Sequence, residues 1–161
     1  MMKKLVIYIW MDNETEEAVK FYKKVFGSNL IVGATTKYLT ETPSNKPIGS
    51  VMMVEFELFG QRFALLNGGS FFKPSEATSF LIECKDQNEI DKYWKALSAD
   101  PKAEVCGWLK DKFGISWQII PKQLGLFLTD KNKEKAKRVM NAMLKMKKID
   151  IVGLRRAYEG K

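Results

Sequence analysis

One arrangement occurs twice in the sequence: an apolar run long enough for a strand, then a polar stop, then an amphipathic helix. The first apolar run is Leu5–Met11 and the second is Ser79–Cys84, and both are rich in residues favoured in strands. A fold built from this chain must therefore combine two similar units, each carrying strands and a helix.

Both predicted helices begin with the spacing of a capping box, in which a polar side chain and a glutamate three residues later bond each other's backbone N–H groups. Asn13 and Glu16 supply this spacing in the first copy, and Asp86 and Glu89 supply it in the second. Apolar side chains then recur every three or four residues and form one face of each helix. The matching positions are Ala18, Phe21, Tyr22 and Val25 in the first copy and Ile90, Tyr93, Trp94 and Leu97 in the second.

Further strand-like segments follow each helix. They are Leu30–Leu39, Ser50–Leu58 and Arg62–Asn67 in the first copy, and Glu104–Lys110 and Ile115–Ile120 in the second. Gly60 and Gly114 stand at matching turns, where a hairpin needs a positive φ. The pattern predicts an α+β fold with two βαβββ modules, residues 1–74 and a shortened second module at residues 75–121, whose helices cover one face of the sheets.

Residues 122–161 differ in charge from the rest of the chain. Lys and Arg outnumber Asp and Glu by eight over the whole sequence, and this C-terminal segment holds the entire excess. It is predicted to form basic amphipathic helices, the first over Asn132–Lys148 and a shorter one capped by Asp150. The apolar stripe of the first helix is Ala136, Val139, Met140, Met143 and Leu144, and its solvated basic face includes Lys135, Lys137 and Arg138.

Composition excludes several classes of protein. Histidine is missing, so Ser-His, Cys-His and His-zinc sites are excluded. Cys84 and Cys106 do not form a C-x-x-C pair, which indicates two free thiols in a reducing compartment, and we expect a cytoplasmic protein. No apolar run approaches the ~20 residues that span a bilayer, and the N-terminus reads as a strand rather than a signal peptide, so no membrane association is expected.

Three motifs carry a resemblance to a known family. They are Leu66-Asn67-Gly68-Gly69, the string from Cys106 to Gly114, and the segment from Met143 to Asp150. With the repeated modules and the Asp111-x-x-Gly114-x-x-Trp117-Gln118 turn, they resemble the PhnB-like branch of the vicinal oxygen chelate superfamily, which includes glyoxalase I and the bleomycin-resistance proteins. The resemblance implies two modules that curl their strands into an open mixed-sheet cup, a ligand in the concavity and a homodimer.

Superfamily enzymes hold a divalent metal with His, Glu or Gln side chains on four strands. The resemblance places these positions at Gln118, at Ala64 and, within one or two residues, around Ile7 and Phe80. One neutral amide cannot anchor a divalent ion that needs several charged or imidazole donors. We therefore expect a protein without a metal and without another cofactor.

The expected function is that of a metal-free small-molecule-binding protein that takes a small apolar or aromatic ligand in the cup. Strand alternation places Ser116, Gln118 and Ile120 on one face of their strand and Trp117 and Ile119 on the other. The expected ligand-binding residues are Tyr8, Trp10, Ala64, Asn67, Phe80, Cys106, Trp108 and Gln118.

Two other functions stay open at this point. A metal-independent enzyme could use the same cup, with Glu55, Glu57 or Glu83 as a base. A protein associated with nucleic acid could use the basic C-terminal helix, although no DNA-binding motif or interleaved aromatic accompanies it. The methyltransferase label given to many PhnB-like proteins finds no support, because no glycine-rich strand-to-helix turn is present.

The expected homodimer agrees with the small predicted sheets, because an exposed sheet edge can pair with a second copy of the chain.

Overall fold

The computed structural model describes residues 4–161, and these divide into two compact units. The first unit ends at Pro74 and the second comprises Ser75–Lys161. Within the described residues, no helix is both long enough and apolar enough to cross a bilayer.

The first unit is a four-stranded mixed sheet with one helix. The elements are β1 (Val6–Met11), α1 (Thr15–Phe26), β2 (Leu30–Lys37), β3 (Val51–Leu58) and β4 (Gln61–Asn67). The strands lie in the order β1-β4-β3-β2, with β1 parallel to β4 and the other pairs antiparallel.

The face of this sheet that carries Phe56 and Phe63 packs against α1. The two rings are stacked with centroids 5.1 Å apart, and Tyr22 of the helix lies 6.3 Å from Phe56. Because side chains alternate along a strand, Ala64 lies on the opposite face, together with its neighbour Tyr8 on β1.

The predicted capping box at the start of α1 is wrong. Asn13 makes no cap, and the side chain of Glu14, the residue before the helix, also caps no helical N–H. Instead Oδ1 of Asn67, at the end of β4, accepts hydrogen bonds from the backbone N–H of Thr15 (3.1 Å) and from its hydroxyl. A buried amide from a distant strand therefore takes the role that the local sequence suggested for Asn13.

The second unit is a three-stranded mixed sheet followed by C-terminal helices. The elements are β5 (Phe80–Cys84), α2 (Gln87–Leu97), β6 (Trp108–Lys110), β7 (Ser116–Pro121), α3 (Lys122–Leu128), α4 (Lys133–Met143) and α5 (Ile151–Glu159). The strand order is β5-β7-β6, with β5 parallel and β6 antiparallel to β7. The α+β class and the two modules, the second shortened, are as the sequence predicts.

Helix starts in this unit follow the sequence closely. Oδ1 of Asp86 accepts from the backbone N–H of Glu89 at 2.9 Å, and the Glu89 carboxylate accepts from the N–H of Lys85. Asn132 and Asp150 cap α4 and α5 through backbone N–H groups of the first turn. These bonds join residues only two to four positions apart, so the local pattern is sufficient to predict them.

The strand predicted over Glu104–Lys110 is shorter, because a turn interrupts it. Cys106 and Gly107 have φ values of 51° and 86°, in the left-handed region. Their N–H groups donate to the carbonyls of Met146 (2.8 Å) and Lys147 (2.7 Å). The backbone here pairs with the C-terminal segment, so the regular strand begins only at Trp108.

The predicted helix over Asn132–Lys148 ends at Met143 for the same reason, since residues 146 and 147 turn their carbonyls toward that turn. Its stripe is buried at Ala136 and Val139, whereas Met140 and Leu144 are 47% and 58% exposed.

Arg138 does not lie on a solvated face as the sequence suggests. Its guanidinium donates from Nε to the carbonyl of Ala157 (2.9 Å) and from Nη2 to that of Tyr158 (2.8 Å), at the C-terminal end of α5. The cation satisfies carbonyls that a helix end leaves unbonded. Lys135 stands over the ring of Tyr158, 4.7 Å from its centroid.

Candidate ligand-binding site

The free face of the second sheet is set by the register of β6 and β7. Trp108 pairs with Gln118 and Lys110 pairs with Ser116, so these four side chains share one face. Leu109 and its partner Trp117 point to the other face. That other face is the buried one, where Ile119 and Leu109 join the helix residues of α2 in the core.

A pocket of about 480 Å³ lies beside β6 in this unit. Its volume is within the usual range for small-molecule sites. The lining combines an aromatic wall, a thiol, an ion pair and a hydroxyl, and it includes Glu76, Val105, Cys106, Trp108, Lys110 and Ser116. Two residues expected to bind ligand, Cys106 and Trp108, therefore meet in one pocket.

Ser116 is the unusual member of this lining. The residue is 1% exposed, and its Oγ atom has no hydrogen-bond partner within the described part of the chain. A buried hydroxyl without a partner costs about 1–3 kcal/mol, so native proteins rarely keep one without a use. The hydroxyl can donate to or accept from a molecule in the pocket.

The charged part of the lining is an ion pair between Lys110 and Glu76, with 2.5 Å between Nζ and Oε1. The Lys110 side chain is 24% exposed and that of Glu76 is 65% exposed. Hydrogen bonding to Lys110 lowers the pKa of the Glu76 carboxyl below its ordinary value. Since one partner is largely in water, the pair contributes little to stability and can separate at low cost.

Cys106 is held in place by its backbone. Its left-handed φ and its hydrogen bond to the carbonyl of Met146 fix the turn that forms one wall of the pocket. The thiol is half-buried, unlike that of Cys84, which is inaccessible. Burial, assisted by Glu89 and Asp86, raises the pKa of the Cys84 thiol to about 12.

Gln118 lies on the same face as Trp108 but is already engaged. Its Nε2 atom donates to Oγ of Ser79 at 2.8 Å. This bond fixes the orientation of the amide and leaves its Oε1 atom as the acceptor that the side chain can offer.

Phe80 lies on the other face of the sheet. It pairs with Trp117, and the two rings are 5.5 Å apart. Its neighbour Leu81 pairs with Gln118 and is 51% exposed. The structure therefore does not bring Phe80 together with Trp108 and Gln118, because the strand register differs by one residue from the expected one.

Three residues expected to bind ligand lie on the face of the first sheet that is opposite to α1. Tyr8 is 61% exposed, and its neighbour Ala64 is fully buried. Trp10 donates from Nε1 to the carbonyl of Gly69 at 2.6 Å and meets Phe72 edge-on at 5.1 Å. Trp10 is thus packed against neighbouring residues. Position 68 requires glycine, because an added Cβ atom would overlap the indole of Trp10.

Asn67 serves the fold of the first unit. Besides its bonds to Thr15, its Nδ2 atom donates to the carbonyl of Val51 (2.9 Å), and its own carbonyl accepts from the hydroxyl of Tyr38 (2.5 Å). The residue is 4% exposed. Its polar atoms are therefore occupied by the protein itself.

The carboxylates considered as bases lie outside the pocket described above. Glu55 pairs with Ala64 on the free face of the first sheet, and its carboxylate lies 3.5 Å from the guanidinium of Arg62. Glu57 pairs with Arg62 on the same face. Glu83 is exposed beside Ile120 in the second sheet.

Comparison with known proteins identifies the family. Residues 3–120 match the sequence model of the family described as 3-demethylubiquinone-9 3-methyltransferase. The chain belongs to this family. The resemblance to the PhnB-like branch of the glyoxalase and bleomycin-resistance superfamily is thereby confirmed. The match ends before the C-terminal helices.

Solved structures agree with this membership. A putative 3-demethylubiquinone-9 3-methyltransferase, PhnB protein, from Bacillus cereus is 26% identical, with a TM-score of 0.60 over 74% of this chain and 99% of its own. Protein PA1353 from Pseudomonas aeruginosa shares the fold at 15% identity, with a TM-score of 0.54 over 74% of this chain and 98% of its own. The comparison with curated proteins gave no match.

The strand positions that hold a metal in enzymes of the superfamily do not fit one here. The observed register pairs Tyr8 with Ala64 and Leu81 with Gln118 on the free faces, one residue away from the expected Ile7 and Phe80. A phenol, two hydrocarbon side chains and one amide lack the charged or imidazole donors that divalent ions need. The described residues also contain no cluster of three or more His, Cys, Asp or Glu side chains suited to a metal.

Sequence reasoning missed Ser116, Lys110 and Glu76 as pocket residues. Alternation correctly placed Ser116 on the face of Gln118, but only the folded structure shows that its hydroxyl is buried and has no partner in the described part of the chain. The Lys110–Glu76 pair joins a strand to the loop before β5, and no local pattern links the two.

Proposed function

We propose that this protein is a metal-free small-molecule-binding protein whose ligand occupies the pocket beside β6. The observation that carries the proposal is the buried hydroxyl of Ser116, a pocket residue, which has no hydrogen-bond partner among residues 4–161. A ligand with an acceptor or donor at this point would remove the cost of the unpaired hydroxyl.

The remainder of the pocket favours a ligand with an apolar or aromatic part. Trp108 offers an indole wall, and Val105 and Ala103 add apolar surface beside it. Aromatic walls with a few polar groups are typical of sites that bind and orient small molecules. Gln118 lies next to Trp108 across the ladder but is not among the residues that line the pocket.

Methyl transfer is not the function that the residues favour. Among the described elements, the sheets are small and mixed, without the glycine-rich strand-to-helix turn and parallel doubly wound sheet typical of nucleotide-derived cofactors. The family description therefore indicates the ancestry of this chain and does not indicate its reaction.

The basic C-terminal helices do not favour a nucleic-acid site. Arg138 binds carbonyls of α5, Lys148 pairs with Asp91 at 2.5 Å, and Lys147 lies 3.6 Å from Glu104. Cations already paired within the protein attract phosphates less strongly than free ones. The pairs of Lys147 and Lys148 hold the C-terminal segment against the rest of the second unit, and Arg138 joins two of its helices.

We also propose a homodimer. The edge strand β2 is exposed along Ile31–Lys37, with Ile31 61% and Val32 49% exposed. An edge strand with apolar side chains is a ready site for pairing with a second copy.

The proposed function can be tested by NMR with a set of small aromatic and aliphatic fragments. We expect a subset to shift the amide signals of Cys106, Trp108 and Ser116. Ser116→Ala should weaken this binding and leave the fold at least as stable, because it removes an unsatisfied buried group. Ser28→Ala, at an exposed serine of the first unit, is the matched control and should change neither property. Fragments that shift only signals outside this pocket would contradict the proposal.

A further inference from the structure

The polar groups of the pocket indicate which chemical class of ligand it takes. Lys102 and Lys110 line it against the single carboxylate of Glu76, so the ionic side chains of the lining carry a net positive charge. Lys110 and Ser116 are direct partners across the β6–β7 ladder. An ammonium group and a hydroxyl donor therefore stand side by side on one face.

Glu76 occupies the position that an anionic ligand would take. Its carboxylate bonds the Lys110 ammonium from a mostly exposed position in the loop before β5. Such a pair is weakly held, so a ligand carboxylate can replace it. Ser116 lines the same pocket beside Lys110, and Glu76 provides no bond for its hydroxyl.

We propose that the pocket selects small aromatic anions, with the ring against Trp108 and the anionic group on Lys110 and Ser116, and that Glu76 is a built-in competitor for this position. The inference rests on the proposed function and refines it. A charge-assisted bond to Lys110 is stronger than a neutral one and gives the anion its preference. Glu76 raises the ligand concentration needed for binding, because each ligand must displace its carboxylate from Lys110.

The test compares benzoate with its neutral analogue benzamide, each titrated into the full chain and followed by the amide signals of Cys106, Trp108 and Ser116. Benzoate should bind more tightly than benzamide. Lys110→Met should weaken benzoate about tenfold and leave benzamide unchanged. Lys110→Arg retains the charge and should preserve the preference. Glu76→Gln should tighten benzoate several-fold, because the competing carboxylate is lost.

An ion pair of the first unit provides the control. Lys46 and Asp12 are 3.2 Å apart, and neither residue lines this pocket. Lys46→Met and Asp12→Asn should therefore change neither affinity. Melting temperatures of all variants establish that the comparison is made between folded proteins.

The two proposals fail in different ways. Equal binding of benzoate and benzamide in this pocket, unaltered by Lys110→Met, would overturn the preference for anions and leave small-molecule binding intact. If neither probe shifts the pocket signals at millimolar concentration while other fragments do, the preference for aromatic anions is wrong and small-molecule binding stands. A tighter benzoate complex that Glu76→Gln does not strengthen would refute the competitor role of Glu76.

Discussion

The carboxylate of Asp111 and the indole of Trp117 are joined by a hydrogen bond of 2.8 Å between Oδ2 and Nε1. The other carboxylate oxygen accepts from the backbone N–H groups of Phe113 (2.9 Å) and Ile115 (3.0 Å). Asp111 is only 3% exposed. The side chain thus closes the turn between β6 and β7 and fixes the indole against the core, which explains why an aspartate and a tryptophan stand at this spacing.

Asp111→Ala should lower the free energy of unfolding by about 3 kcal/mol, because buried donors lose a charged acceptor. Urea unfolding measures the change. Asp100→Ala is the matched control: its carboxylate caps only Lys102 at an exposed position, and about 1 kcal/mol is expected. Equal losses for the two variants would show that Asp111 is not the clamp of this turn.

Asn67 and Asn13 offer a direct comparison of the observed and the predicted start of α1. Asn67→Ala should destabilise the protein by about 2–3 kcal/mol, since the N–H and hydroxyl of Thr15 and the carbonyl of Val51 lose their partner. Asn13→Ala should cost less than about 0.5 kcal/mol. Thermal or urea unfolding measures the stability of both variants. A larger loss of stability in Asn13→Ala than in Asn67→Ala would support the capping box predicted from the sequence.

Gly107 is required by both its backbone and its surroundings. Its φ is 86°, and an added Cβ would lie 2.7 Å from the Ile120 side chain and 3.1 Å from that of Ile149. Gly107→Ala should destabilise the protein by about 1–3 kcal/mol. Gly125→Ala, in α3 with open space around it, should be neutral or stabilising by up to about 1 kcal/mol. Equal melting temperatures for the two variants would contradict this account.

The raised pKa of Cys84 predicts a pH dependence of stability. The unfolded thiol ionises around its ordinary pKa of 9.0, whereas burial raises the pKa of the folded thiol to about 12. The folded state therefore binds more protons in this window, and the free energy of unfolding should fall as pH rises above about 9. Denaturant titrations between about pH 8.5 and 10 should show the fall. It should be reduced in Cys84→Ala and retained in Cys106→Ala.

The proposed homodimer predicts about twice 18.5 kDa by light scattering coupled to size exclusion. Val32→Lys, on the exposed edge strand, should give a monomer by placing like charges at the interface. Val152→Lys alters a side chain of similar exposure on α5 and should leave the dimer unchanged. A wild-type monomer at tens of micromolar concentration would refute the proposal.

Local patterns predicted those parts of the fold whose bonds join near neighbours. Asp86 and Glu89 are three residues apart and form the cap that their spacing indicates. Asn13 and Glu16 have the same spacing, but Asn67, 52 residues from Thr15, bonds that N–H instead. Sequence spacing cannot show that a distant side chain competes for the same donor.

The same limit applies to the candidate site. The sequence groups residues along one strand but does not show contacts between distant segments. Alternation correctly grouped Ser116 with Gln118, and the family string contains Cys106 and Trp108, which line one pocket in the structure. Phe80 fell on the wrong face because an apolar strand with few polar positions does not fix its own register. Glu76 meets Lys110 through tertiary structure alone, so no periodicity could reveal it.

The carbonyls of Met146 and Lys147 hold the backbone of Cys106 and Gly107, and Cys106 is part of the pocket wall. The family match stops at residue 120, so this wall is anchored by a part of the chain that lies beyond the family match. A ligand seated in the proposed site would be coupled to the docking of this segment, and the two would stabilise each other by equal amounts. On that proposal, mutations in the segment that carries Met146 and Lys147 can alter ligand preference without changing a residue that the ligand touches.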